Sequence, residues 1–479
     1  MLAAKPIDSS RWFEQFGIDP MRCRRVLTEA TRHGADDADL YFEHATSTSV
    51  GLTDHAVNRA HTSVDLGVGI RVVVGDQVGY AYTEDLSLES MLRAARTASE
   101  IARGGRLVAP VDTTRLALPD HYPVERRWWE VPVDARVPLV RKWEEQAFAG
   151  DSRVEKVQVS LADTDQHVMV VRADGRIATD YRPMTRAFVS VTAVDGEKRE
   201  SGGYNVAARA GLEFYTEDRQ ERLVKEAIQR ATDALHAESP PAGEMPVVMA
   251  AGSSAILLHE AIGHGLEADF NRKGISIFAD RLDSRIASPD VTICDDGTLP
   301  GARGSLNTDD EGSETERTVL VEGGILRSFL HDRISARHYG VDSTGSGRRE
   351  SFRHPVIPRM RSTYMENGPH APEEIIRSVD RGIYCETFSN GQVQIGAGDF
   401  AFFVRHGYLI ENGRLTKPVK DVNLIGNGPD VLASIDMVGD DMQIDESGWT
   451  CGKDGQGVPV SQGMPTVRVA KLSVGGGQR

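Results

Sequence analysis

The sequence predicts an α+β protein in two parts: a mixed helix and hairpin domain over 1–238, then a strand-rich domain over 246–479 that carries a metal-binding helix. Three observations lead there. "AESPPAGEMP" (237–246) sets three prolines and a glycine between a helical pattern and a new apolar run, which marks a boundary. Before it, helical periodicity alternates with short hairpins, whereas after it glycine-punctuated β-prone runs dominate. Strand and helix patterns do not alternate regularly, so α+β is favoured over a doubly wound sheet.

The elements follow in order. "GVGIRVVVGDQVGYAY" (67–82) is a hairpin. "DLSLESMLRAARTASEIARGG" (85–105) has helical spacing, an Asp/Ser start and a double-glycine stop. "VMVVRADGRIATDY" and "VSVTAVDGEKRES" turn at Asp174-Gly175 and Asp195-Gly196, residue types that accept positive φ. "DRQERLVKEAIQRATDALHAES" (218–239) is a second amphipathic helix. Beyond the boundary, a helical segment at 253–268 is started by Ser253 or Ser254. "TVLVEGGILRSFL" and "GYLIENGRLTKPV" are hairpins at Gly323-Gly324 and Asn412-Gly413, and "APEEIIRSVDRG" is a short helix.

Bulk composition narrows the class. Hydrophobic residues are 40% and charged residues 26% of the 479, as in soluble globular proteins. No stretch approaches the ~20 apolar residues of a membrane span, and the charged N-terminus lacks a signal core. The net charge of −16 opposes nucleic-acid binding, which depends on neutralising phosphates. Four cysteines, Cys23, Cys294, Cys385 and Cys451, make no disulfide framework and fit a reducing cytoplasm.

One stretch carries chemistry. "LLHEAIGHGLEADF" (257–270) places His259 and Glu260 together and a second histidine, His264, one residue later than a zinc-peptidase H-E-x-x-H would. On an ideal helix, positions five apart differ by roughly 140° in direction. A π-bulge would realign them, or the helix can loosen at Gly263. The alternative is a buried helix with two hydrogen-bonded histidines. Glu260 is the natural general base for a metal-activated water, and Glu267 is a nearby carboxylate, either ligand or outer support. Cys451 opens the polar loop "CGKDGQGVPV", where a thiolate can approach a metal, but spacing alone does not join it to His264. Arg348, Arg349 and Arg353 in "GSGRRESFRH" can grip substrate carbonyls or a terminal carboxylate, or form a solvated basic loop. "NTDDEGSETE" (307–316) lacks the placement of a calcium loop and reads as an acidic turn.

These residues resemble the TldD/PmbA family of metallopeptidases, on the TldD side. "LLHEAIGHGLEADFNRKG" is similar to its H-E-x-x-x-H segment. "DDEGSETERTVLVEGGIL", "GSGRRESFRHPVIPRMRSTYM", "NGQVQIGAGDFAF", "GYLIENGRLTKPVK" and "CGKDGQGVPVSQGMPT" resemble further blocks in the same order, and the likeness is weakest near 110–160. The resemblance implies a Zn2+ peptidase with His259, His264 and Cys451 as ligands and Glu260 as catalytic base. It also implies peptide or unfolded-protein substrates, a cytoplasmic location and a TldE/PmbA-like partner subunit, or self-association. The competing expectation is a regulatory or scaffolding protein of gyrase-modulator type with a structural metal. A redox role for Cys451 would want a C-x-x-C, which is missing.

Overall fold

The computed structural model describes residues 9–105 and 112–476; the first eight residues of the charged N-terminal stretch lie outside the described residues. Four long strands, Asp37–Thr53, Ala56–Val74, Val154–Arg172 and Arg176–Asp195, form the antiparallel centre of a seven-stranded sheet. Gln77–Thr83 adds to one edge and Lys198–Ala208 to the other. Two turns fall at the anticipated glycines, Gly175 and Gly196, and the 67–82 hairpin turns at Gly75; all three have positive φ.

Period-two alternation sorts this sheet into layers. On Asp37–Thr53 the even positions Leu40 and Phe42 pack with Val26 and Met91 of the helices Pro20–Ala30 and Leu88–Ile101. Further along the same strand, Val50 and Leu52 pack with Trp143 and Leu223 of the helices Val133–Gly150 and Glu217–His236. One face of one sheet thus supports two cores. The helix Val133–Gly150 went unread in the sequence because Pro138 interrupts its pattern.

The odd positions Asp39, Tyr41 and Glu43 are buried on the opposite face, where residues from beyond 300 cover them. Buried charge there is paired. Arg71 meets Asp39 and Glu311, each at 2.5 Å, and Arg182 meets Asp180 at 2.8 Å and Asp310 at 2.7 Å. Arg349 lies over the Tyr41 ring at 4.4 Å. The acidic turn is therefore an internal dock: Asp309, Asp310 and Glu311 are buried, and Asp309 accepts from the backbone N–H groups of Glu311, Ser313 and Gly347.

The remaining strands make two larger sheets. Gly243–Met249, Val467–Gly476, Val422–Asn427, Asp399–Glu411 and Arg381–Val393 pair in a closed ring, since Arg381–Val393 bonds both Gly243–Met249 and Asp399–Glu411. A six-stranded sheet includes Ile293–Asp296, Ser362–Met365 and Ser461–Met464. Both contribute to one core, with Val247 and Met249 from the ring, Ile293 and Met464 from the sheet, and Leu257, Leu258 and Ile262 between them. Among the described residues, no helix is long and apolar enough to cross a membrane. The architecture is α+β with a strand-rich C-terminal part.

Candidate metal centre

Gly252, at φ +79°, turns the chain from strand Gly243–Met249 into the helical run 253–266. Ser254 does not cap this run; its hydroxyl donates to Cys385 O at 3.2 Å. The run passes through one short α segment, Ile256–Leu258, and then a π-turn, His259–Gly263. The His264 N–H donates to His259 O, five residues back. Gly263 keeps right-handed helical angles (φ −54°, ψ −55°), so the chain does not break there. This glycine instead permits close packing, because a Cβ would lie 2.1 Å from Met360 Sδ.

The π-turn realigns positions five apart. The His259 and His264 rings stand 5.0 Å apart, centroid to centroid, at 86°. Cys451 arrives on the hairpin Thr450–Lys453 and Gln456–Pro459, with Sγ 3.4 Å from His264 Nε2. One ligand atom from each of the three residues lies within 4.8 Å of the others, and all three are buried. Burial raises the Cys451 thiol pKa, but His259 and His264 outweigh it and hold the thiol well below its usual range. His259 Nδ1 is buried without a hydrogen-bond partner. Two imidazoles and a thiolate suit Zn2+, and three donors facing a cleft leave the open position of a catalytic site.

That cleft, about 400 Å³, is lined by Glu260, Gly391, Trp449 and Thr450 together with the three donors. Glu260 packs on Gly391, whose Cβ would sit 3.2 Å from Glu260 Cγ. Burial raises the Glu260 carboxyl pKa, and His259 and His264 oppose that rise. A carboxylate with a raised pKa beside a metal position can accept a water proton and return it.

Glu267 lies behind the donors rather than among them. His264 Nδ1 meets Glu267 Oε2 at 3.0 Å. Burial favours the neutral acid, but Lys453, His264 and Arg359 hold Glu267 at about 2. An ionised carboxylate only accepts, so His264 Nδ1 carries the hydrogen, which makes Nε2, 3.4 Å from Cys451 Sγ, the nitrogen that would meet a metal. Lys453 Nζ lies 3.2 Å from Glu267 and donates to Asp269 at 2.7 Å. Arg359 Nη2 donates to Cys451 O at 2.6 Å. Sequence reading passed over Lys453 and Arg359. Period two on the strand could have found Lys453, which shares the buried face of Cys451.

The other anticipated residues lie elsewhere. Arg348 and Arg349 are buried and form no solvated basic loop. Arg348 donates to Met360 O and Pro459 O, both at 2.7 Å; Arg349 Nη2 donates to Asp310 O at 2.9 Å. Arg353 pairs with Asp65 at 2.9 Å and Glu84 at 2.8 Å. Arg349, which also meets Asp39 at 3.5 Å, and Arg353 tie the N-terminal part to the C-terminal part, whereas both Arg348 bonds stay within the C-terminal part. Burial pushes the thiols of Cys23 and Cys294 up to about 12 and raises that of Cys385, consistent with inert core residues.

With this geometry in place, comparison with known proteins is informative. Models described as PmbA/TldA metallopeptidase domain 1, central domain and C-terminal domain match residues 38–102, 126–235 and 242–476. A "Metalloprotease TldD homolog" from Haemophilus influenzae is 40% identical over 448 residues, covering 92% of this chain and 93% of its own. A "Zinc metalloprotease TldD homolog" from Saccharolobus solfataricus is 27% identical over 455 residues, covering 94% and 99%. Two solved structures share the fold. A Thermotoga maritima protein described as a candidate modulator of a DNA gyrase has a TM-score of 0.78 at 23% identity, covering 97% of this chain and 100% of its own. TldE from Thermococcus kodakarensis has a TM-score of 0.74 at 18% identity, covering 95% and 99%. Three successive matches and a relative of this identity settle membership: the chain belongs to the PmbA/TldD metallopeptidase family.

Proposed function

We propose that this chain is a zinc-dependent peptidase that hydrolyses peptides or unfolded polypeptides in the cytoplasm, working with a TldE/PmbA-like homologous subunit. The observation that carries the reading is the convergence of His259, His264 and Cys451 on one point, with Glu260 on the cleft side. Zinc is supported by this donor chemistry and by the name of the Saccharolobus solfataricus relative. The partner is supported by the shared fold with TldE. A purely structural metal would more often have four protein donors.

Bound here, Zn2+ would supply Lewis acidity to an attacking water and to the scissile carbonyl. The protein does the rest. His259, His264 and Cys451 would hold the ion, and Glu267 would fix the His264 tautomer. Glu260 would take the proton of the water and deliver it to the leaving amine. The cleft beside Thr450–Lys453 would receive an extended peptide as an added strand.

The test is Glu260→Gln, assayed for peptide hydrolysis and for zinc by elemental analysis. The expected result is full zinc content with hydrolysis reduced by about 10²–10⁴-fold. Cleavage at the wild-type rate would remove Glu260 as the base.

A further inference from the structure

Arg303 and Arg186 meet the segment 448–450 that enters the metal cleft, and the Arg209 N–H donates to Gly301 O at 2.9 Å, two residues before Arg303. Arg303 donates from Nε to Trp449 O at 3.0 Å and from Nη2 to Thr450 Oγ1 at 3.4 Å, and both partners line the cleft. Arg186 is exposed and donates from Nε to Asn205 Oδ1 at 3.2 Å. It lies against Gly448, where a Cβ would sit 2.8 Å from Arg186 Nε. Asn205 Oδ1 also accepts from the Gly448 N–H at 2.7 Å, so Arg186 is anchored to the segment that runs into Trp449. Arg209 is 3% exposed, and its Nε has no hydrogen-bond partner. Among the described residues, none of the three makes an ion pair within 4 Å.

This arrangement needs explaining in a protein of net charge −16. Burial and repulsion from Arg186 and Arg209 push Arg303 down to about 9. Arg303 is half-buried, and an anion bound at its guanidinium would offset the cost of drawing that charge partly out of water. Nearby acids are already engaged: Glu446 by Arg219 and Arg222, and Asp445 by Trp449 Nε1 at 2.6 Å. Arg303 also lines a second cleft of about 460 Å³ whose wall includes Phe214, Leu299, Ala302 and Ile444. A cation on an apolar wall suits a carboxylate attached to an apolar side chain.

We propose that Arg303 and Arg186 form a carboxylate-binding subsite beside the metal cleft, which takes the C-terminal carboxylate of a peptide substrate. The proposal rests on the peptidase reading and deepens it, since it names peptides cut close to a free C-terminus as the substrate class. An aspartate or glutamate side chain presents the same chemistry and must be separated by the test.

The experiment uses the full chain loaded with Zn2+ and three peptides of one length: a free acid, its C-terminal amide, and that amide with an internal glutamate. The free acid is expected to show a KM about tenfold below that of the amide. Arg303→Gln and Arg186→Gln should each erase this difference, read as the ratio of KM for the acid to KM for the amide within each variant. Circular dichroism and thermal melting check that each variant folds. If Arg303→Gln does not fold, the exposed Arg186 carries the comparison. A preference for the internal glutamate alone would overturn the C-terminal assignment, and equal KM for all three peptides would overturn the subsite. If the wild type cleaves none of them, the peptidase reading falls and fluorescence anisotropy of the same peptides judges the subsite separately. Tighter binding of the acid, lost in Arg303→Gln, would support the subsite, and equal binding would refute it.

Discussion

Glu267 Oε2 lies 3.0 Å from His264 Nδ1, on the opposite ring nitrogen from the one that faces Cys451 Sγ. The pair fixes which nitrogen of His264 is available to a metal. Glu267→Gln keeps the shape but can present its amide NH2 to the ring and loses the charge that orients it. Zinc affinity, measured by chelator competition, is expected to fall by about 10–100-fold. Unchanged affinity would show that the π-turn alone orients His264.

The thiolate has a sharper prediction. Cys451→Ser and His264→Ala should each strip the purified chain of zinc, while Cys23→Ser, altering a core thiol, should retain about one ion per chain. Equal zinc in Cys451→Ser and Cys23→Ser would exclude Cys451 from the centre.

Glu43 predicts a stability that depends on pH. Burial pushes its carboxyl up to about 7, against the hydrogen bonds it accepts from Gln166 and the Phe352 N–H. The folded state therefore holds this proton more tightly than the unfolded chain. Stability from this group is present below the unfolded value of 4.5 and is lost as pH rises towards 7. Glu43→Gln removes the titration. Relative to this variant, the wild type should lose up to about 3 kcal/mol between pH 4.5 and pH 8 in urea unfolding. Parallel pH profiles would show that Glu43 ionises freely when folded.

Removing one end of a buried ion pair leaves the other without compensation. Glu311→Ala leaves Arg71, which is 1% exposed, with Asp39 but without the partner of its Nη1, and should cost about 3 kcal/mol in unfolding free energy. A loss under 1 kcal/mol in the single variant would mean that Asp39 alone satisfies Arg71.

Much of this could be read from residue order alone. Asp174-Gly175, Asp195-Gly196 and Asn412-Gly413 turn hairpins because local chemistry decides them, and the helices Leu88–Ile101 and Glu217–His236 declare themselves by period. His259, Glu260 and His264 stood out as a motif, and the family likeness supplied Cys451. What stayed hidden was long-range. The segment 307–316 reads only as an acidic turn, because nothing local reveals that Arg71 and Arg182 wait across the first sheet. Arg348 and Arg349 looked free for the same reason, and Arg186 and Arg303 drew no notice because 117 positions part them in sequence.

The late position of the hairpin at Thr450–Pro459 has a consequence for the life of the chain. Translation delivers both imidazoles 187 residues before the thiolate reaches His264. A nascent chain on the ribosome thus holds two of the three donors and no finished centre. On the peptidase reading proposed above, this order would keep the newborn molecule from cutting itself or its neighbours before the hairpin Thr450–Pro459 has folded.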